Sequence, residues 1–312
     1  MRKILLTIIY LIVATQTSVS AQNLDVQIRT QKSFHRTIPH ANYSGITYLG
    51  NNQYAVVDDK SATDGFYIFN IQIDSLSGDI IHVERKEFRT STLKNRDAEG
   101  IAFHRPSQTI LISGEADNQV LAYDTLGRYL NWQLSIPQAY KNLPANLGLE
   151  ALSCAPDGNT ILIANESAPC YITAYNTNFK QKGIYLFEID KPLYNSMFIG
   201  VSEICALSDS TCLVLQREII MPKHKIGARA ETKIYYTTLL RGSERMGTTH
   251  KKMIASWVTR FNLTNRSFAN YEGMCLGPKL PDNRQVVILL SDSQKGYKGV
   301  LKDYFKSIVF QE

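Results

Sequence analysis

The stretch Glu99-Gly100-Ile101-Ala102-Phe103, followed by Ile110-Leu111-Ile112-Ser113-Gly114-Glu115, begins and ends on a carboxylate. Between its halves lies Arg105-Pro106-Ser107, a run of turn formers. A short, small-residue strand, a turn and a continuous apolar run read as a β-hairpin whose second strand is covered on both faces. The same pattern occurs four more times. Ser44-Gly45-Ile46-Thr47-Tyr48 leads to Tyr54-Ala55-Val56-Val57-Asp58-Asp59, and Glu150-Ala151-Leu152-Ser153-Cys154 to Ile161-Leu162-Ile163-Ala164-Asn165-Glu166. Glu203-Ile204-Cys205-Ala206-Leu207 leads to Cys212-Leu213-Val214-Leu215-Gln216-Arg217-Glu218, and Glu272-Gly273-Met274-Cys275-Leu276 to Val286-Val287-Ile288-Leu289-Leu290-Ser291-Asp292. From Gly45 to Gly100, Ala151, Ile204 and Gly273 the steps are 55, 51, 53 and 69 residues. A period near 50 residues means stacked copies of one supersecondary unit.

Each hairpin is followed by more strand. A third strand is expected over 65–71, 119–124, 183–189, 233–239 and 299–305. A fourth is expected over 80–88, 129–134, 195–199 and 252–261. Helical periodicity is nearly absent. Four-stranded units repeated in this way are propeller blades, so the expected class is all-β and the architecture a β-propeller. Five blades are favoured; a degenerate sixth could occupy the longest interval. The fifth copy runs short of strand near Phe310, and an unassigned strand-like stretch, 24–38, precedes the first. The N-terminal strand is therefore expected to complete the last blade, which removes an open edge.

The chain opens on Arg2-Lys3, an apolar run from Ile4 to Ala14, and Val19-Ser20-Ala21. This is the pattern of a cleaved export signal over 1–21, leaving 22–312 as one propeller domain in the periplasm or secreted. The run of 11 residues is short of the roughly 20 that span a bilayer. Loss of Arg2 and Lys3 lowers the formal charge from +6 to +4. That mild balance, without a basic stripe, argues against nucleic acid as a partner. A monomer is expected. Five cysteines fit no zinc spacing. Cys154, Cys205 and Cys275 fall on first strands, where a buried free thiol acts as a small hydrophobe. A Cys205–Cys212 disulfide is not expected from the hairpin register; a partner for Cys170 stays open.

Strand direction in a propeller puts first-strand starts and second-strand ends on one face, near the axis. Glu99, Glu150, Glu203 and Glu272 form the first set. Asp58, Asp59, Glu115, Glu166, Glu218 and Asp292 form the second. So many carboxylates cannot all stay ionised and unpaired, because like charges at 4 Å repel by about 1 kcal/mol even in water. Lys60, Arg96 and Arg217 are local cations, and a divalent metal is another; calcium suits clustered oxygen ligands. Two readings stand for the strand-start set: functional acids, or acceptors of backbone hydrogen bonds from the next blade. The cationic loop Met221-Pro222-Lys223-His224-Lys225-Ile226-Gly227-Ala228-Arg229 belongs on the same face. Either it is a solvated loop, or it complements an anionic ester beside the metal. Serine-hydrolase, zinc-protease and nucleotide-binding motifs are absent.

The chain resembles the phytase-like, "esterase-like activity of phytase", family of exported bacterial proteins. The likeness rests on Val57-Asp58-Asp59, Asp97-Ala98-Glu99-Gly100-Ile101-Ala102, Gly148-Leu149-Glu150-Ala151-Leu152, Leu213-Val214-Leu215-Gln216-Arg217-Glu218 and Asn270-Tyr271-Glu272-Gly273-Met274, and spans about 40–310. It implies a β-propeller with phosphomonoesterase or esterase activity. The chain departs from the family at Glu150-Ala151, where Glu-Gly is usual, and at Gly114-Glu115 and Gln216-Arg217, where paired acids are common.

The first expectation is therefore an exported metal-dependent hydrolase of phosphate or other anionic esters. Glu115, Glu166, Glu218 and Arg217 would be catalytic. Asp58, Asp59, Glu99, Glu272 and Asp292 would bind metal, calcium being the expected ion. Lys60, Arg96, Lys223 and Lys225 would bind substrate. A non-catalytic propeller that binds a ligand or protein on its acidic face is the alternative. A calcium-dependent lactonase-like propeller comes third; it would need a neutral, amide-rich pocket, for which Asn118 and Asn165 are the candidates.

Overall fold

The computed structural model describes residues 24–311 except 142, 144–147, 224, 243–245 and 298. The expected export signal at 1–21 lies outside the described residues. Two short strands, β1 (Val26–Ile28) and β2 (Lys32–Ser33), precede the first repeat. That repeat consists of β3 (Tyr43–Gly50), β4 (Gln53–Asp58), β5 (Thr63–Ile73) and β6 (Ile80–Lys94). The second has β7 (Ala98–His104), β8 (Thr109–Gly114), β9 (Gln119–Tyr123) and β10 (Tyr129–Gln133). The third has β11 (Leu149–Cys154), β12 (Thr160–Asn165), β13 (Cys170–Asn176) and β14 (Gln181–Phe187). The fourth has β15 (Phe198–Ala206), β16 (Thr211–Ile220), β17 (Ala228–Leu240) and β18 (Met246–Phe261). The fifth has β19 (Asn270–Lys279), β20 (Gln285–Asp292) and β21 (Tyr304–Phe310).

Within each repeat the strands pair antiparallel in chain order. The molecule is all-β and propeller-like. The first strands touch one another in the cyclic order β3, β7, β11, β15, β19 and back to β3. β1 pairs antiparallel with β21, Val26 opposite Phe310 and Ile28 opposite Ile308. The outer strands β14 and β18 pair in parallel, Ile184 opposite Met246, and so merge the third and fourth repeats into one eight-stranded sheet. That pairing covers two edges that would otherwise expose unpaired backbone.

Several expected strands sit elsewhere. In the third repeat, the third strand is Cys170–Asn176 rather than 183–189. The latter stretch is mostly β14, and 195–199 leads into β15. In the fifth repeat, the third strand is Tyr304–Phe310 rather than 299–305. The 69-residue step is occupied by β17 and β18, of 13 and 16 residues. All five cysteines are free thiols, and Cys212 lies opposite Ala206 rather than Cys205.

The second strands are buried because both faces meet neighbouring repeats. Ile110, Leu111 and Ile112 are all fully buried, and side chains of this size contribute about 1.5–3 kcal/mol each. The apolar side chains gather between successive repeats rather than in one central core. One cluster joins Val57 and Phe66 to Ile101 and Ile112; another joins Leu111 and Ala122 to Leu152 and Ile163. The fifth repeat meets the first through Val286, Ile288 and Val309 against Tyr54, Phe69 and Ile71. The middle of the ring is thus left to the starts and ends of the first two strands, where the charged groups lie.

Candidate active site at the axial carboxylates

Each first strand carries a register shift near its start. The shifts fall between Tyr43 and Ile46, Ala98 and Ile101, Leu149 and Ala151, Val201 and Glu203, and Tyr271 and Gly273. A bulge of this kind re-aims one side chain. It makes Ser44, Glu99, Glu150, Ser202 and Glu272 equivalent. Ser44 Oγ donates to the Ala98 carbonyl (2.8 Å), and Ser202 Oγ donates to the Tyr271 carbonyl (3.1 Å), one residue before the next repeat's glutamate. The following position is Gly45, Gly100, Ala151, Glu203 and Gly273. A methyl at Gly45, Gly100 or Gly273 would stand 2.4–2.5 Å from a carbonyl oxygen of the adjoining first strand, so close approach demands glycine there.

The second strands obey the same register. Asp58, Gly114, Asn165, Gln216 and Ser291 pair with Tyr43, Ala98, Leu149, Val201 and Tyr271. The next residues are Asp59, Glu115, Glu166, Arg217 and Asp292. The fourth repeat therefore differs from the sequence alignment by one position. Its ring residues are Ser202 and Arg217, while Glu203 and Glu218 lie one step beyond. Glu203 is buried and accepts the backbone N–H groups of Leu152 (3.1 Å) and Ile204 (3.0 Å), which is the inter-repeat acceptor role. Glu218, also buried, accepts N–H groups of Leu193 (3.1 Å) and Tyr194 (3.2 Å) and so anchors the loop between β14 and β15.

The remaining acids converge. Oxygens of Glu99, Glu115 and Glu150 all lie within 4.8 Å of one another, and so do those of Asp59, Asp97 and Glu99. Asp97 was not among the expected site residues; it stands one position before the repeated pattern and takes φ +60°. Lys60 bridges this group, pairing with Asp59 (2.9 Å) and with Asp97. Arg217 is buried and reaches from the fourth repeat to both sides. Its Nη2 donates to Glu166 (2.8 Å), and its Nη1 donates to Glu272 (2.5 Å) and to Asn270 Oδ1 (2.9 Å). Its guanidinium stands 5.4 Å from the Phe198 ring centre. Asp292 is buried and its Oδ1 accepts the Gln294 N–H (2.6 Å).

Burial governs the electrostatics. Desolvation pushes the carboxyls of Glu99 and Glu150 well above the usual range, and their acidic neighbours push the same way. Asp292 is raised well above it too, by burial and then by Glu272. Glu115, Asp58 and Glu166 are raised by burial; the Gly148 N–H opposes this for Glu115, the Lys60 N–H for Asp58 and Arg217 for Glu166. Asp59 is pushed up to about 6 by burial despite its pairing with Lys60. The site is thus a cup of carboxyls whose affinity for protons is raised by burial. Such a cup can take up and release protons, or exchange them for a cation.

The other expected residues lie apart. Arg96 is bound to the buried Asp64 (2.7 Å) and to Asp117 (2.9 Å), inside the wall between the first two repeats. Lys223 and Lys225 line a separate pocket with Met221, Phe261 and Leu301. Asn118 accepts the Leu149 N–H (3.0 Å), and Asn165 holds the turn at Ser167, Pro169 and Tyr171. Both amides are thus spent on backbone.

The sequence profile of a family described as "Phytase-like: Esterase-like activity of phytase" matches residues 38–294. No curated protein matches the chain. Among solved structures, it is similar to hydrazine synthase of Kuenenia stuttgartiensis, with 12% identity, 88% of each chain covered and a TM-score of 0.41. A streptogramin B lyase is similar at 12% identity, with 93% of this chain and 98% of that one covered and a TM-score of 0.39. A protein of unknown function from Bacteroides caccae shares 14% identity over 84% of this chain and 87% of its own, with a TM-score of 0.35.

Proposed function

The chain belongs to the phytase-like family, and on that premise we propose that it is an exported hydrolase of phosphate or other anionic esters whose axial carboxylates hold a divalent cation. The reading takes the molecule as five blades closed by the N-terminal strand, supported by the pairing of β1 with β21. The observation that carries it is the convergence of Glu99, Glu115 and Glu150 within 4.8 Å, extended by Asp59 and Asp97. Unneutralised, this cup would repel an anionic ester by about 4 kcal/mol per charge pair at 4 Å near a protein surface.

The residues fit a hard cation. Every donor is a carboxylate oxygen, the set that suits calcium or magnesium rather than zinc. Asp59 Oδ1 is buried with no hydrogen-bond partner. Glu99 with Glu115 and Glu150, or with Asp59 and Asp97, would hold the ion; it would supply charge neutralisation and polarise the ester oxygen. Glu166, whose proton affinity is raised by burial, would accept a proton from attacking water. Arg217, shared between Glu166 and Glu272, is a positioning residue that fixes these two carboxylates.

The test is release of phosphate and of p-nitrophenol from model esters, with calcium and with chelator. Calcium-dependent turnover that is lost in Glu115→Gln and Glu166→Gln, with folding intact, is expected. No turnover of any ester, together with a melting temperature indifferent to chelator, would overturn the proposal. That outcome would favour a non-catalytic propeller whose acids serve the backbone, as Glu203 and Glu218 do.

A further inference from the structure

A cavity of about 290 Å³ lies between the β16–β17 loop and the β20–β21 loop. Its wall is apolar: Met221, Phe261, Phe268 and Leu301 pack with the buried Ala228 and Ala230. Lys223 is exposed and Lys225 is half-buried. Lys225 Nζ stands 5.3 Å from the centre of the Tyr297 ring, a cation held over an aromatic face.

The opposite wall is strained. Gln294, Lys295, Gly296 and Tyr297 take φ of +50°, +53°, +73° and +28° in succession. Non-glycine residues avoid this region, at a cost of about 1–2 kcal/mol each, and successive left-handed residues are rare. Strain of this kind persists where the surroundings enforce it, and it gathers at ligand clamps. Here it is enforced by hydrogen bonds from Lys295 N to the Ala41 carbonyl (3.2 Å) and from Gly296 N to Ser293 Oγ (3.0 Å). The same turn abuts the axial acids, because the Gln294 N–H is bonded to Asp292.

We infer that this pocket binds a small amphipathic anion, its apolar body against Phe261, Phe268 and Leu301 and its anionic head at Lys223 and Lys225. The volume suits one aromatic ring or a short aliphatic chain. The two lysines select against cationic compounds. An inorganic anion alone would leave the apolar wall unused. Binding there does not require the ester-hydrolysing activity.

The test is calorimetric titration of the chelator-treated mature protein with phenyl phosphate, inorganic phosphate and phenol. Chelator removes any cation from the acidic cup, which then repels anions, so binding reports this pocket alone. Phenyl phosphate is expected to bind roughly thirtyfold tighter than inorganic phosphate through ring burial. Lys223→Gln with Lys225→Gln should weaken it roughly tenfold. Val300→Phe, which enlarges a half-buried lining residue, should abolish it at unchanged melting temperature. Equal affinity for phosphate and phenyl phosphate, or undiminished binding by the lysine double variant, would overturn the inference. Should Val300→Phe fail to fold, the lysine variant decides. Phenyl phosphate binding with no turnover of any ester in calcium, and a melting temperature indifferent to chelator, leaves the pocket standing and removes the hydrolase.

Discussion

Replacing Arg217 by Met removes the cation that holds Glu166 and Glu272 together. Three polar contacts disappear: to Glu166, to Glu272 and to Asn270 Oδ1. Removing one partner of a buried ion pair costs about 3–5 kcal/mol, because the remaining charge is left uncompensated. Here the carboxylates have an escape. Burial already raises Glu166, and loss of Arg217 raises it further, so the variant's folded state takes up a proton. The sign follows from linkage. The folded variant binds more protons than the unfolded chain, so its stability falls as pH rises. Relative to the parent, the deficit grows by about 1.4 kcal/mol per pH unit for each extra proton held. Urea unfolding at pH 5.5 and 7.5 measures it. The expected deficit is about 3–5 kcal/mol at pH 7.5, shrinking by up to about 3 kcal/mol at pH 5.5. An equal deficit at both pH values, or a variant as stable as the parent at pH 7.5, would refute the account of a carboxylate pair held by one buried guanidinium.

Other perturbations separate structure from site. Gly100→Ala places a methyl 2.5 Å from the Glu150 carbonyl and should cost about 1–3 kcal/mol or prevent folding, whereas Gly277→Ala meets only side-chain carbons at 3.3 Å or more and should be tolerated; melting curves of the two decide it. Arg96→Met leaves the fully buried Asp64 without its cation, with the Tyr123 hydroxyl still donating to it, and should cost about 3–5 kcal/mol while the folded fraction keeps its ester turnover, measured as activity per folded molecule. The chelated protein should gain stability on acidification from pH 7.5 to 5. Asp59, pushed up to about 6, binds its proton in the folded state before the unfolded chain does; it alone accounts for about 1.4 kcal/mol over that range. Urea midpoints that fall over that range would contradict this.

The repeat, the strand pattern and the gathering of acids on one face were readable from residues alone, because alternation and turn chemistry are local. The register of the fourth repeat was not. Ser202-Glu203 and Arg217-Glu218 each offer an acid beside the true ring position, and aligning on carboxylates selects the wrong neighbour. The deciding feature is a bulge, which shifts a strand by one residue without a signature in composition. The signal available was Ser44, which opens the first repeat as Ser202 opens the fourth. Asp97 was overlooked because it precedes the repeated unit and is brought in by a left-handed backbone. Arg96 read as a site cation by proximity in sequence; its partner Asp64 is brought to it by the pairing of β5 with β6. In the third repeat only a short turn separates β12 from Cys170–Asn176, so the third strand comes early and the expected 183–189 falls mostly on the fourth.

The most direct test of the central claim is calcium titration by calorimetry near pH 6 in buffers of different ionisation enthalpy. Carboxyls raised by burial must lose protons to bind a cation. The account predicts saturable calcium binding, release of protons, and a higher melting temperature in calcium than in chelator, all lost in a Glu99→Gln, Glu115→Gln double variant that remains folded. Absence of calcium heat in the parent protein, with one melting temperature in calcium and in chelator, would contradict it.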